Sequence, residues 1–191
     1  MKNFLLIACA LTASACCGRS SSSAADSQYT PPVQATSSPA PPASSAKPAE
    51  VGWHNPATAC ALLPALPGGE YKKMGDEFSC VSKGLDLSAP GPSGLANTLR
   101  FFADGNSGRV ALLKLYLNVN VAPEASSAQK RMAELGEELA RASLQTSLPA
   151  DAQKSLSSGK PGKWTVAGAK VALEKDVWPT GKGFSLKFTI E

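Results

Sequence analysis

Hydrophobic and polar residues alternate most clearly between Arg109 and Val121, where Ala111, Leu113, Leu115, Leu117, Val119 and Val121 fall on one side. Lys114, Tyr116, Asn118 and Asn120 fall on the other. A period of two predicts a half-buried β-strand, because successive side chains point to opposite faces of a sheet. Phe184, Leu186, Phe188 and Ile190 repeat the pattern against Ser185, Lys187, Thr189 and Glu191. Between these stretches the period changes. Ala128, Met132, Leu135, Leu139 and Ala142 recur at helical spacing, which predicts a long helix from Pro123-Glu124 to about Thr146. Lys130, Glu134, Glu137, Glu138 and Arg141 form its polar side, with Glu137 and Arg141 placed as an i,i+4 pair.

Turn and cap residues divide the rest. Asn55-Pro56 reads as a helix cap followed by the first helical position, and Pro64 with Pro67-Gly68-Gly69 ends that short helix. Phe78 to Lys83 is a short strand, and Gly84 to Gly94, with Pro90-Gly91-Pro92, is loop. Leu95 to Ala103 runs into Asp104-Gly105-Asn106-Ser107-Gly108 and returns as the alternating strand, the strongest hairpin signal in the chain. Ser147-Leu148-Pro149 breaks the long helix, and a second piece ends at Gly159. Strands follow from Lys163 to Gly168, Lys170 to Trp178 and Gly183 to Glu191. The expected fold class is α+β, an antiparallel sheet of about six strands with helices on one face, in the order α-βββ-αα-βββ.

Composition changes this picture only at the start of the chain. From Arg19 to Glu50 most residues are Ser, Pro or Ala, and Tyr29 and Val33 are the only large apolar side chains. Such a segment cannot bury enough surface to offset the entropy of ordering it, so a disordered linker is expected. Its reach is roughly 30 Å on average and about 100 Å when fully extended. Before it, Lys2 is followed by an apolar core from Phe4 to Leu11 and the small residues Thr12-Ala13-Ser14-Ala15. That is the layout of an export signal, and the core is far below the roughly 20 residues of a membrane span.

Ala13-Ser14-Ala15-Cys16 resembles the lipobox of bacterial lipoproteins, in which the Cys becomes the lipidated first residue of the mature chain. Ala13 stands where that family prefers Leu. Cys17 is an alternative site; Leu6-Ile7-Ala8-Cys9 fits the pattern better but leaves too short an apolar core. The resemblance implies a signal over residues 1–15, a lipidated N-terminus and linker over 16–50, and a single domain over 51–191. It implies a membrane partner through the lipid, and a location at the outer membrane facing the periplasm. In an exported domain Cys60 and Cys80, its only cysteines, read as a disulfide clipping the first helix to the first strand.

Little catalytic chemistry stands out. Gly105-Asn106-Ser107-Gly108 resembles the nucleophile motif of trypsin-like proteases, but Ser107 occupies a hairpin tip and the domain is too short for two barrels. His54 is the single histidine, and with Cys60 and Cys80 it falls short of a metal set, so neither a metal nor another cofactor is expected. Glu134, Glu137 and Glu138 read as a solvated helix face rather than the paired acids of a glycosidase. The net charge is +4, with lysines concentrated from Lys154 to Lys187 and no stacking motif beside them, so nucleic acid is not an expected partner.

The polar row Lys114, Tyr116, Asn118 and Asn120 is the foremost candidate recognition surface, since Tyr and Asn suit interfaces. Trp178, beside the Lys182 turn, is the second. Expected function is therefore that of a small bacterial envelope lipoprotein binding another protein, as an inhibitor, an immunity-like factor or an assembly accessory, without catalysis. The alternative is a hydrolase of cell-wall or glycan material whose acids only the fold brings together. Mass spectrometry of the mature protein is expected to find an acylated chain beginning at Cys16; an unmodified start elsewhere than Cys16 or Cys17 would sink the lipoprotein reading.

Overall fold

The computed structural model describes residues 52–191, so the expected signal, Cys16, Cys17 and the linker lie outside the described residues. The described chain opens with a 3-10 turn (Gly52–His54) and α1 (Pro56–Cys60), followed by β1 (Lys72–Met74), β2 (Glu77–Val81) and β3 (Leu85–Asp86). Next come β4 (Thr98–Asn106), β5 (Arg109–Val119) and, after a 3-10 turn (Ala122–Glu124), α2 (Ala125–Leu144). The chain closes with α3 (Ala150–Ser158), β6 (Gly162–Val166), β7 (Ala169–Val177) and β8 (Phe184–Ile190).

These strands form one antiparallel sheet in the order β1-β2-β4-β5-β8-β7-β6, with β3 beside β4. The fold class is α+β, as expected, but the sheet has eight strands rather than about six. β1 and β3 are the additions. Lys72-Lys73-Met74 is exposed throughout and Leu85-Asp86 is two residues long, so neither carries an alternation that a sequence can show. Both are held by backbone pairing to a longer neighbour.

The two strands that alternate most strongly lie side by side at the centre. Leu113, Leu115 and Leu117 of β5 sit opposite Ala103, Phe101 and Leu99 of β4 and opposite Ile190, Phe188 and Leu186 of β8. All nine side chains are buried. Burying a Leu or Phe stabilises a fold by about 1.5–3 kcal/mol, so these rows dominate the core.

The pattern slips at the start of β5. Asp104 pairs with Leu112 but Gly105 pairs with Val110, leaving Ala111 as the extra residue of a β-bulge. Val110 consequently turns inward and is buried, while Ala111, expected inside, is exposed. A side chain at Gly105 would overlap the carbonyl oxygen of Arg109, so the bulge requires glycine there.

Helices α2 and α3 cover the inner face. Ala128, Met132, Leu135 and Leu139 are buried as expected, but the stripe continues through Ser143 and Leu144 rather than Ala142. Ser143 lies four residues after Leu139, and its hydroxyl donates to the Leu139 carbonyl at 2.7 Å, which makes burial tolerable. Helix α1 starts at the expected cap, with Asn55 Oδ1 accepting from the Ala57 amide at 3.0 Å and Pro56 in the first turn.

Cys60 and Cys80 form the expected disulfide, with Cα atoms 6.1 Å apart, and it joins the end of α1 to β2. Cys80 is fully buried, so the bridge is part of the core as well as a constraint on the unfolded chain. Replacing Cys60 and Cys80 together by Ser is expected to lower unfolding stability by about 3 kcal/mol. Urea unfolding at equilibrium measures this, and a loss near zero would mean that the clip contributes nothing.

Candidate functional site

The sheet face turned away from the helices carries the candidate site. Alternation along β5 sends Leu112, Lys114, Tyr116 and Asn118 to that face, all half-buried by their neighbours. Register fixes those neighbours. Phe102, Arg100 and Thr98 of β4 stand opposite Lys114, Tyr116 and Asn118 on one side. Thr189, Lys187 and Ser185 of β8 stand opposite the same three on the other. The buried apolar side chains form a single cluster with the helices, and among the described residues no helix covers this second face.

Three of the four residues in the expected row therefore stand together on the bare face, and the fourth is engaged elsewhere. The Asn120 side-chain amide donates to the Ala96 carbonyl at 2.7 Å. Its backbone N–H donates to Asn97 Oδ1 at 2.7 Å, and the Val121 N–H donates to the same oxygen at 2.8 Å. Asn97 is fully buried and also donates to the Val121 carbonyl at 3.1 Å. Together Asn97 and Asn120 clamp the loop before β4 to the end of β5.

Lys114 is held on both sides. Its Nζ lies 2.9 Å from Asp104 Oδ2 and 4.4 Å from the Phe102 ring centroid. Asp104 also accepts from the Ser79 hydroxyl, and it is buried. A charge fixed in this way loses little side-chain freedom when a partner arrives.

Trp178 and Lys182 belong to the β7–β8 loop, which joins the sheet at Phe184, opposite Val119. The loop thus lies at the same end as Asn118. The Trp178 ring lies over Gly183, where any side chain would overlap it, and the Trp178 amide donates to the Gly183 carbonyl at 3.1 Å. Trp178 is half-buried and Lys182 is exposed. Their loop borders the bare face rather than continuing the Lys114 row.

Further along the same face, between β5 and β6, lies a hollow of about 450 Å³. Leu112 and Ala172 give it apolar lining, and Lys163, Lys170 and Lys187 bring positive charge against Glu174 and Glu191. Sequence reading missed this feature because it depends on β8 lying between β5 and β7, a long-range pairing. Its only local trace was the concentration of lysines after Lys154. Glu174 lies 2.7 Å from the Lys187 ammonium. That hydrogen bond and charge, with Lys163 nearby, hold the Glu174 pKa below its ordinary value against a small opposing effect of burial. A carboxyl shifted in this direction is the reverse of a proton donor prepared for general acid catalysis.

Asp104, Glu134, Glu137 and the histidine have structural partners. His54 Nδ1 lies 2.8 Å from the Val110 carbonyl oxygen, which requires a proton on Nδ1, and its ring rests on Trp53. Asp104, the acid beside the Ser107 turn, is taken by Ser79 and Lys114. Glu134 pairs with Arg131 at 2.7 Å. Among the described residues no group of three or more His, Cys, Asp or Glu is placed to hold a metal ion.

Glu137 ties α2 to the start of α3. It accepts from Arg141 at 2.7 Å, from the Leu148 amide at 2.9 Å and from Gln153 at 3.2 Å. Burial alone would raise its pKa, but the Leu148 amide, Ser147 and Arg141 outweigh it and the value falls below the usual 4.5. Folding therefore favours the ionised form, and the stabilisation is present above 4.5 and lost as pH falls through the lowered folded value. Glu137→Gln is expected to cost about 1–2 kcal/mol at neutral pH. The gap from wild type should close on acidification below 4.5, as measured by urea unfolding across pH; a gap independent of pH would refute the assignment. No protein-family model, curated protein or solved structure matches the chain, so the chemistry of the site rests on its own residues.

Proposed function

We propose that this chain is an envelope lipoprotein, held by lipid at Cys16, whose domain binds another protein without catalysis through the bare face of its sheet. The observation that carries the reading is the one-sided cover of the sheet. Helices and core occupy one face, and the other presents Arg100, Phe102, Lys114, Tyr116, Asn118 and Lys187 in adjoining rows. Aromatic and Arg side chains of this kind are the usual anchors of protein interfaces. Strands keep them in fixed register, and Lys114 is further fixed by Asp104 and Phe102. A partner of ordinary size would bury about 800 Å² of this surface.

The Ser/Pro/Ala-rich linker supports the same reading by giving an anchored domain reach toward a partner. Location at the outer membrane facing the periplasm follows from the signal and belongs to the proposal. A hydrolase would call for two carboxylates flanking a cleft, one of them with a raised pKa. Two carboxylates, Glu174 and Glu191, do line the hollow, but Glu174 is held by Lys187 and its pKa moves downward instead.

A photoreactive residue in place of Tyr116 or Lys187, in the full chain within its native envelope, is expected to crosslink to one protein. The same residue in place of Lys130, on the helix side, should give no such product. Crosslinking from Lys130 alone would refute the choice of face. Turnover of peptidoglycan by the purified protein would refute the non-catalytic reading.

A further inference from the structure

We propose that the outer edge of β6 receives an extended acidic segment of the partner protein as an added strand, with the hollow beside it taking acidic side chains. The inference rests on the protein-binding reading and names the chemistry of the partner. β6 is the last strand of the sheet, and its hairpin with β7 turns through two residues, Ala167 and Gly168, both at positive φ. In a two-residue hairpin the flanking pair, here Val166 and Ala169, exchanges both ladder bonds, and pairs alternate from there. Thr165 and Lys163 fall at the positions whose N–H and C=O point away from β7. The opposite residue confirms the phase: Lys170, across from Thr165, exchanges its backbone bonds with Glu191 at 2.9 and 2.8 Å. Among the described residues nothing pairs with these outward groups, so an incoming strand meets donors and acceptors on Lys163 and Thr165.

Side chains choose which strand. Lys163, Thr165 and Lys170 project to the bare face, where Lys163 and Lys170 line the hollow and, among the described residues, form no salt bridge; of the acids beside them Glu174 is taken by Lys187, and Glu191 is the other. Residues of an added strand directly opposite Lys163 and Thr165 would stand about 4.5–5.5 Å away on the same face. Acidic residues fit there. The alternate residues would face the helix side beside Trp164, which calls for apolar side chains. Trp164 is fixed by donation from Nε1 to Asp151 Oδ2 of α3 at 2.8 Å, so the edge is held in place before binding. An edge lysine discourages neutral or basic strands from pairing, which makes the same residues selective as well as attractive.

The test uses the full isotope-labelled chain in detergent and a blocked octapeptide of alternating Glu and Val. Binding is expected to move the amide signals of Lys163 to Val166 most. The Lys163→Glu, Lys170→Glu double variant, both positions being exposed, is expected to weaken binding about tenfold or more while the remaining spectrum stays folded. The same peptide N-methylated at alternate residues should fail to bind, because it cannot complete the ladder. Equal binding by the N-methylated peptide, or by a Lys-Val octapeptide, overturns strand addition. Polyphosphate moving these signals while the peptide does not would assign the lysines to a polyanion and overturn the proposal. Peptide-induced shifts confined to Tyr116 and its neighbours would overturn the edge site while leaving the bare-face reading intact. Loss of the Tyr116 crosslink would strike that wider reading instead.

Discussion

An antiparallel sheet can be stable with one face against a core and the other against water, and this domain is built on that asymmetry. The central pair β5–β8 supplies the inner rows of Leu113, Leu115 and Leu117 against Ile190, Phe188 and Leu186. Helices α2 and α3, the buried disulfide and the Asn97 clamp all act on or around this side. Because the sheet is continuous, whatever fixes the inner rows also fixes the outer ones. Lys114, Tyr116 and Lys187 are therefore positioned by the core, although none of them belongs to it.

The outer face is not a simple positive field. Lys114 is neutralised by Asp104 and Lys187 by Glu174, and among the described residues Lys163, Lys170 and Glu191 stand beside the hollow without ion pairs, two positive charges against one negative. Attraction there is local and short in range, so it favours specificity and orientation over long-range capture. The aromatic residues Phe102 and Tyr116 lie in the adjoining rows, where they supply contact area that charge alone would not.

Much of this was legible in the chain because it is periodic or local. The alternation of β5 and β8, the hairpin turn after β4, the Asn55-Pro56 cap and the Cys60–Cys80 bridge all follow from residues at fixed spacing. What was not legible depends on contacts between distant segments. Ala111 lost its inward place to a bulge that glycine at 105 permits. Ser143 took the helix position expected of Ala142, because an internal hydrogen bond lets a hydroxyl be buried. β1 and β3 carry no period at all. Asn120 looked like a member of the Lys114 row, yet the loop carrying Ala96 and Asn97 comes to meet it. The hollow needed the β5–β8–β7 order, which no stretch of sequence states.

The central claim is that the bare face binds a protein while the covered face holds the fold, and Tyr116→Ala separates the two most directly. The decisive quantity is the affinity of the full chain for the protein its bare face captures, measured beside the thermal midpoint of the same variant. The account predicts binding weakened about tenfold or more, with the midpoint unchanged within about 4 °C. A folded variant that binds as tightly as the wild type would contradict it.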